Sequence, residues 1–393
     1  MSIRIALGLA VAAAGIAAQV VAAQAADPYV VGVTAAMTGP AASTQAPVIE
    51  MLKVYVDRVN ARGGIDGHPI KLIVEDDQAE PSKAAANGTK LIRQDGAIML
   101  INSSLSSTYG PNVAEAKRAN VPIWFAGAVC PKEAAPPADR LEYCSTGFDF
   151  SYDIPAGINY IKDVAQGTPK VALVGMPIPI SRIGIDNAEK QAQSLGMTVV
   201  DKEFIAPPTA DYTPFATKLI ADKPDWGFSY GTWVIEIKAF EAMRRLGWTG
   251  SYLTYGHIQA EDELARVKDD KLTVFSANAL FKDDLPIHHE IRDAATAAKI
   301  SYPYTQGSEG WLTGMALESI LQRTGWPVTT DKLVAAMESL NLDTKGLRGG
   351  PLVWTKDNHF RTRQYYRFYR WNSAANGIER VKDWIAVDVK PAS

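Results

Sequence analysis

The chain has 393 residues, 47% of them apolar and 21% charged, with a formal net charge of −3. That length and apolar content bury a sizeable core, point to two domains and exclude an intrinsically disordered chain. The slightly acidic balance argues against nucleic acid as a partner.

The amino end, MSIR followed by IALGLAVAAAGIAAQVVAA and the triplet Ala23-Gln24-Ala25, has the basic start, apolar middle and small-residue site of a cleavable signal peptide. The alternative, a membrane anchor, fits less well because the stretch is alanine-rich and leads directly into that site. Removal of residues 1–25 takes away Arg4 and no acid, leaving 39 basic against 43 acidic residues and a charge of −4. The expected product is an exported protein.

A buried strand, VGVTA, opens the folded part, and the loop MTGPAAST breaks it at Gly39-Pro40. Val48, Ile49, Leu52, Val56 and Val59 then recur at helical spacing until Gly63-Gly64. Thr38, Ser43 and Thr44 are competent helix caps, and a helix start with free N–H groups also attracts a carboxylate. A second unit follows: PIKLIVED as strand, EPSKAAANGTKLIRQD as helix, AIMLIN as strand. The hydroxyl cluster NSSLSSTYGP precedes the helix PNVAEAKRAN, the strand VPIWFAG, a helix over 156–164 and the strand KVALVGM. After about residue 150 the rhythm restarts with DNAEKQAQSLG, TVVDKEFI, TPFATKLIAD, WGFSYG and VIEIKAFEAMRRLG, without an internal sequence repeat. Alternating units with apolar strands predict an α/β fold of parallel sheets covered by helices. Ligands of such sheets sit beyond the carboxyl ends of the strands, where MTGPAAST lies.

Two cysteines, Cys130 and Cys144, read in an exported chain as one disulfide, or as two unpaired thiols. The bridge would contribute roughly 3 kcal/mol in the chain-entropy model. No C-x-x-C suggests redox catalysis, no Walker A or G-x-G-x-x-G sequence suggests a nucleotide, and the five histidines form no zinc pattern. No cofactor and no metal are therefore expected, and His288-His289 beside Glu290 reads as solvated helix surface.

GVTAAMTGP, VNARGGIDG and LIVEDDQAEPSKAAANGTKLI, followed by AGAVCP at 126–131, SYGTW at 229–233 and GGPLVW at 349–354, resemble the type 1 periplasmic binding proteins. The similarity is to the leucine/isoleucine/valine-binding branch of ABC transporter solute receptors. Their order and spacing cover essentially the whole mature chain. The resemblance implies two Rossmann-like lobes joined by a three-crossover hinge, with the ligand in the cleft between them and trapped by closure. Lobe 1 would comprise 26–148 and 279–360, and lobe 2 would comprise 149–278 and 361–393.

The resemblance also carries site expectations. Thr38 and the helix start after it, Ser104 or Ser106, and the backbone near Ala128 would hold a carboxylate. The family's threonine falls on Val129 or Cys130, its acid for the ligand amino group near Gly256 or His257, and its tyrosine near Ile183, beside Arg182; none of these is matched. A buried ammonium without a counter-charge is costly, so the ligand expected is a small organic carboxylate of benzoate type. An amino acid or amide returns as the alternative if Glu236, Glu261 or Glu309 supplies the acid. Among Tyr109, Trp124, Tyr230, Trp233 and Trp311, the ring contacts expected are Trp233 and Tyr109, with Tyr230 at the cleft. Arg182 or His257 would meet the carboxylate or a ring substituent.

The partner implied is an ABC permease in the inner membrane, served by a monomer, while a sensor subunit without transport would use the same fold. A different class is set by GFSYG, a formal match to the G-x-S-x-G elbow, with Ser229 as nucleophile, Asp262 or Asp283 as acid and His288, His289 or His359 as base. No HGGG-type oxyanion loop accompanies it, so a non-enzymatic receptor is the leading expectation.

Overall fold

The computed structural model describes residues 26–147, 149–256, 260–300 and 304–388, so the expected signal peptide and His257 lie outside the described residues. Two separate sheets organise the chain. The first holds β1 (Tyr29–Ala35), β2 (Ile70–Asp76), β3 (Met99–Ser103), β4 (Ile123–Phe125) and β5 (Glu142–Cys144). All pair parallel, in the order β2-β1-β3-β4-β5. Helices α1 (Ala42–Ala61), α2 (Pro81–Thr89) and α3 (Tyr109–Ala119) make the connections. Val31, Val33, Met99 and Ile101 are fully buried, as parallel strands covered on both faces require.

The chain then builds a second sheet through α4 (Phe150–Val164), β6 (Lys170–Gly175), α5 (Pro179–Ser194), β7 (Thr198–Phe204) and α6 (Thr213–Ala221). It continues with β8 (Trp226–Ser229), α7 (Trp233–Arg245), β9 (Ser251–Tyr255), α8 (Ala260–Val267) and β10 (Leu272–Ser276). Instead of ending there, it returns to the first unit as α9 (Pro286–Ala297), α10 (Tyr304–Thr324) and α11 (Thr330–Glu338), followed by a ribbon of β11 (Asn341–Leu342) and β12 (Leu352–Val353). Leu317, Ile320, Leu321, Leu333 and Met337 share one core with Val31 and Val33 of β1. A third passage leads to β13 (Arg363–Asn372) and β14 (Gly377–Asp388), which close the second sheet in the order β14-β13-β10-β9-β8-β6-β7.

Two features depart from the sequence reading. β13 runs antiparallel to β10 and to β14, so the second sheet is mixed rather than wholly parallel. α1 begins after Ala41 with no side-chain cap, so neither Thr38, Ser43 nor Thr44 caps it; the Gly39 turn, at φ +83°, delivers the chain into the helix. The crossing of α10 on α1 is close because glycines line it: a Cβ on Gly310 would stand 2.0 Å from the Val48 carbonyl oxygen, and one on Gly314 would stand 2.4 Å from the Tyr55 ring. Cys130 and Cys144 form a disulfide with Cα atoms 5.6 Å apart, fastening the loop after β4 to the end of β5.

Candidate functional site

Register decides which loops meet. Ala35 pairs with Ser103 and Asn102 with Phe125, so the loops leaving β1, β3 and β4 stand side by side at the carboxyl edge of the first sheet. In the second sheet Val174 pairs with Ser229 and Ser229 with Thr254, which aligns the loops leaving β6, β8 and β9 in the same way. α1 and α7 come into contact between the two units, so the loops that start them border one cleft.

On the first wall, Thr38 is exposed, and both its N–H, at 3.2 Å, and its hydroxyl donate to Asp76. Burial works to raise the Asp76 carboxyl, but these donations with those of Gln78 and Met37 hold it below its ordinary value. Ser104 is buried and donates to Asp77 Oδ1 at 2.7 Å. Asp77 also accepts from the Thr34 hydroxyl (3.0 Å) and the Ala79 N–H (2.8 Å), and burial leaves its carboxyl raised in spite of them. Ser106, half-buried in a turn of 3₁₀ helix over 106–108, spends its hydroxyl on no described residue. The Tyr109 hydroxyl donates to the Val129 carbonyl at 2.8 Å, and its ring packs on Phe125. The Ala128 N–H is also taken, by Thr146 Oγ1 at 3.1 Å. Tyr109 and Ala128 thus brace the loop carrying Cys130 rather than present free groups.

On the second wall, Trp233 opens α7, is 2% exposed, and its indole Nε1–H has no partner among the described residues. Arg182, in the first turn of α5, is exposed and lies over the Phe204 ring at 4.5 Å. Tyr230 turns away from this wall, donating its hydroxyl to Asp153 at 2.6 Å. Trp124 and Trp311 are core residues; the Trp124 indole donates to Ser145 Oγ at 2.8 Å.

The three acids that would pair an ammonium are already engaged. Glu236 is fully buried, accepts from the Gly231 N–H at 2.8 Å, and is raised well above its ordinary value by burial. Glu261 accepts from the N–H groups of Phe281 and Lys282 at 2.8 and 2.7 Å. Glu309 holds Arg348 through both oxygens at 2.9 Å and takes the Gly147 N–H.

The hydrolase constellation is not assembled. Ser229 is fully buried and donates to Thr254 Oγ1 at 2.9 Å. Asp283 accepts from Arg367 and Tyr369, and His359 stacks on Tyr143 in the first unit. His288 is not the solvated residue the sequence suggested. It is buried against the Phe281 ring at 4.3 Å, which depresses its pKa to about 4, whereas His289 is exposed beside Asp284. No group of three or more His, Cys, Asp or Glu able to hold a metal occurs among the described residues.

Sequence reasoning missed the polar cluster where the chain passes between sheets. Asp153 collects donors from Tyr230, Tyr366, Gln364 and the Asp149 N–H. Arg361 donates to Gln364 Oε1 and to the Thr146 carbonyl. Burial pushes Asp153 up to about 8 and Asp149 up to about 6, and burial with the neighbouring Arg348 brings Arg361 down to about 10. The available signal was an acid four residues after the helix-capping Asp149, and a dense run of arginines and tyrosines after residue 360.

The family profile for periplasmic binding proteins matches residues 28–377, most of the chain. The chain belongs to the type 1 periplasmic binding proteins, in the leucine/isoleucine/valine-binding branch. An amino acid binding protein of Pseudomonas aeruginosa is 26% identical over 236 residues, covering 60% of this chain and 62% of that protein. The chain thus spans about six-tenths of the length of the curated relatives it matches. Among solved structures, the solute binding protein of an ABC transporter from Rhodopseudomonas palustris BisB5, in complex with 3,4-dihydroxybenzoic acid, has a TM-score of 0.77 at 18% identity. It covers 93% of this periplasmic binding protein and 99% of its own chain. A branched chain amino acid ABC transporter protein from Thermus thermophilus with bound valine has a TM-score of 0.78 at 18% identity, covering 91% of this chain and 97% of its own. At these identities the two structures establish the fold: two Rossmann-like lobes joined by three crossovers around a cleft.

Proposed function

We propose that this protein is the periplasmic, non-enzymatic solute-binding component of an ABC importer, working as a monomer that captures a small organic carboxylate of the benzoate class. Closure of the lobes around the ligand shifts an open to closed equilibrium, and permease subunits in the inner membrane read the closed form. The units 26–148 with 279–360 and 149–278 with 361–393 are the bodies that close.

One observation carries the ligand class. Glu236, Glu261 and Glu309 are each bound to partners inside the protein, and an amino-acid ligand would bring an ammonium needing such an acid. A carboxylate needs donors instead, and the Ser106 hydroxyl and Trp233 indole N–H stand on opposite walls with none of their protons committed. Arg182, free of ion pairs with described residues, adds positive charge to the second wall. The dihydroxybenzoate-bound relative has the same architecture.

The second reading, a branched-chain or other amino acid or amide, is favoured by the amino acid binding protein of Pseudomonas aeruginosa and by the valine in the Thermus thermophilus protein. Titration calorimetry of the mature protein separates the two. Micromolar or tighter binding of benzoate, 4-hydroxybenzoate or 3,4-dihydroxybenzoate is expected; tight leucine, isoleucine or valine with no response to these acids reverses the assignment.

A further inference from the structure

We propose that Asp153 is a positioning residue that couples the cleft wall to the crossovers between the lobes. It sits on α4 and is fully buried. Tyr230, the first residue after β8, precedes the turn that leads into Trp233 at the start of α7, and its hydroxyl lands on Asp153 Oδ2 at 2.6 Å. On the same oxygen lands the Asp149 N–H of the first crossover, at 2.6 Å. The other oxygen takes the Tyr366 hydroxyl at 2.6 Å from β13, just past the third crossover. Gln364 Nε2 bridges that oxygen, at 3.3 Å, to the Gly147 carbonyl of the first crossover, at 2.5 Å.

Four donors converge on the two carboxyl oxygens, two on each. Asp149, Asp153, Tyr230 and Tyr366 therefore turn as one piece of the second body, and Gln364, which holds the Gly147 carbonyl, ties that piece to the first body at the crossover. Tyr255 reinforces the link: its hydroxyl donates to the Gly147 carbonyl at 3.0 Å and accepts the Ala277 N–H of the second crossover at 3.2 Å. The cleft loop after β8 and all three crossovers thus meet in one hydrogen-bonded unit, where a network is sensitive to the loss of any member.

The test uses amide hydrogen exchange of the ligand-free mature protein, so its outcome does not depend on which ligand binds. Tyr366→Phe removes one hydroxyl that touches neither the cleft loop nor Trp233. Exchange across residues 230–233 is expected to speed by about tenfold, the effect of losing one buried hydrogen bond. Exchange in β7 and α6 of the same sheet should stay at the wild-type rate. Tyr366→Phe combined with Tyr230→Phe should be no faster across 230–233 than Tyr230→Phe alone, because both act through Asp153. Wild-type exchange at 230–233 in Tyr366→Phe, equal acceleration throughout the second sheet, or additive effects in the pair would each overturn the proposal. Asp153→Asn should reproduce the loop effect; if it fails to fold, the two tyrosine variants decide alone.

Discussion

Ser104 and Ser106 stand two residues apart after β3, yet their hydroxyls have opposite duties. Ser104 gives its proton to the buried Asp77, whereas Ser106 gives its proton to no described residue. Ser106→Ala should therefore weaken benzoate-class binding by about tenfold while leaving the thermal midpoint near wild type, since a hydrogen bond to a charged group contributes about 1.5 kcal/mol or more. Ser104→Ala should instead cost about 1–3 kcal/mol of stability, because a buried carboxylate loses a donor. Calorimetry and thermal unfolding of the two variants check the pair; a Ser104→Ala protein with normal stability and abolished binding would reverse the roles. The sequence put both serines in the loop after β3 and left them unresolved. What separates them is Asp77, brought across from the end of β2 by sheet order, and no local spacing reveals that contact. The SYGTW motif put Tyr230 and Trp233 at the same strand end, but the partner that takes the Tyr230 hydroxyl, Asp153, lies in another element and could not be read from that motif.

α1 shows the opposite case, an element whose core face was readable from helical periodicity alone: Val48, Ile49, Leu52, Val56 and Val59 are all buried. Its close crossing by α10 follows from Gly307, Gly310 and Gly314, small residues spaced to present one helix face to α1. Gly310→Ala should destabilise by about 3 kcal/mol, because the new Cβ meets main chain that has no rotamer to escape into. Chemical denaturation measures it, and a loss below about 1 kcal/mol would mean that the crossing relaxes freely. The carboxyl-terminal hairpin was less legible. Repeated β/α units argue for parallel strands, and the run RTRQYYRFYRW hides its inward residues because Gln364, Tyr366 and Arg367 are buried as polar network members rather than as an apolar alternation. Period-two reading fails where the core itself is polar.

For the molecule as a whole, three crossings between the sheets make each lobe discontinuous in sequence. Relative motion is then a rotation of two preformed bodies, so saturating ligand should shrink the radius measured by small-angle scattering while far-ultraviolet dichroism stays unchanged. An unchanged scattering profile under confirmed tight binding would remove closure from the mechanism. The order of motifs along the chain made this architecture legible, but the polar content of the hinge was not, since its members come from segments far apart in sequence. The same threading bears on how the protein is made. β10 pairs on one side with β9 and on the other with β13, and β13 is synthesised only after α9, α10 and α11. Until residues 363–388 follow through the export channel, β10 presents an open sheet edge to its surroundings. The half-delivered chain is thus the state most exposed to wrong strand pairing, and a stop late in the reading frame would harm the molecule more than its small loss of length suggests.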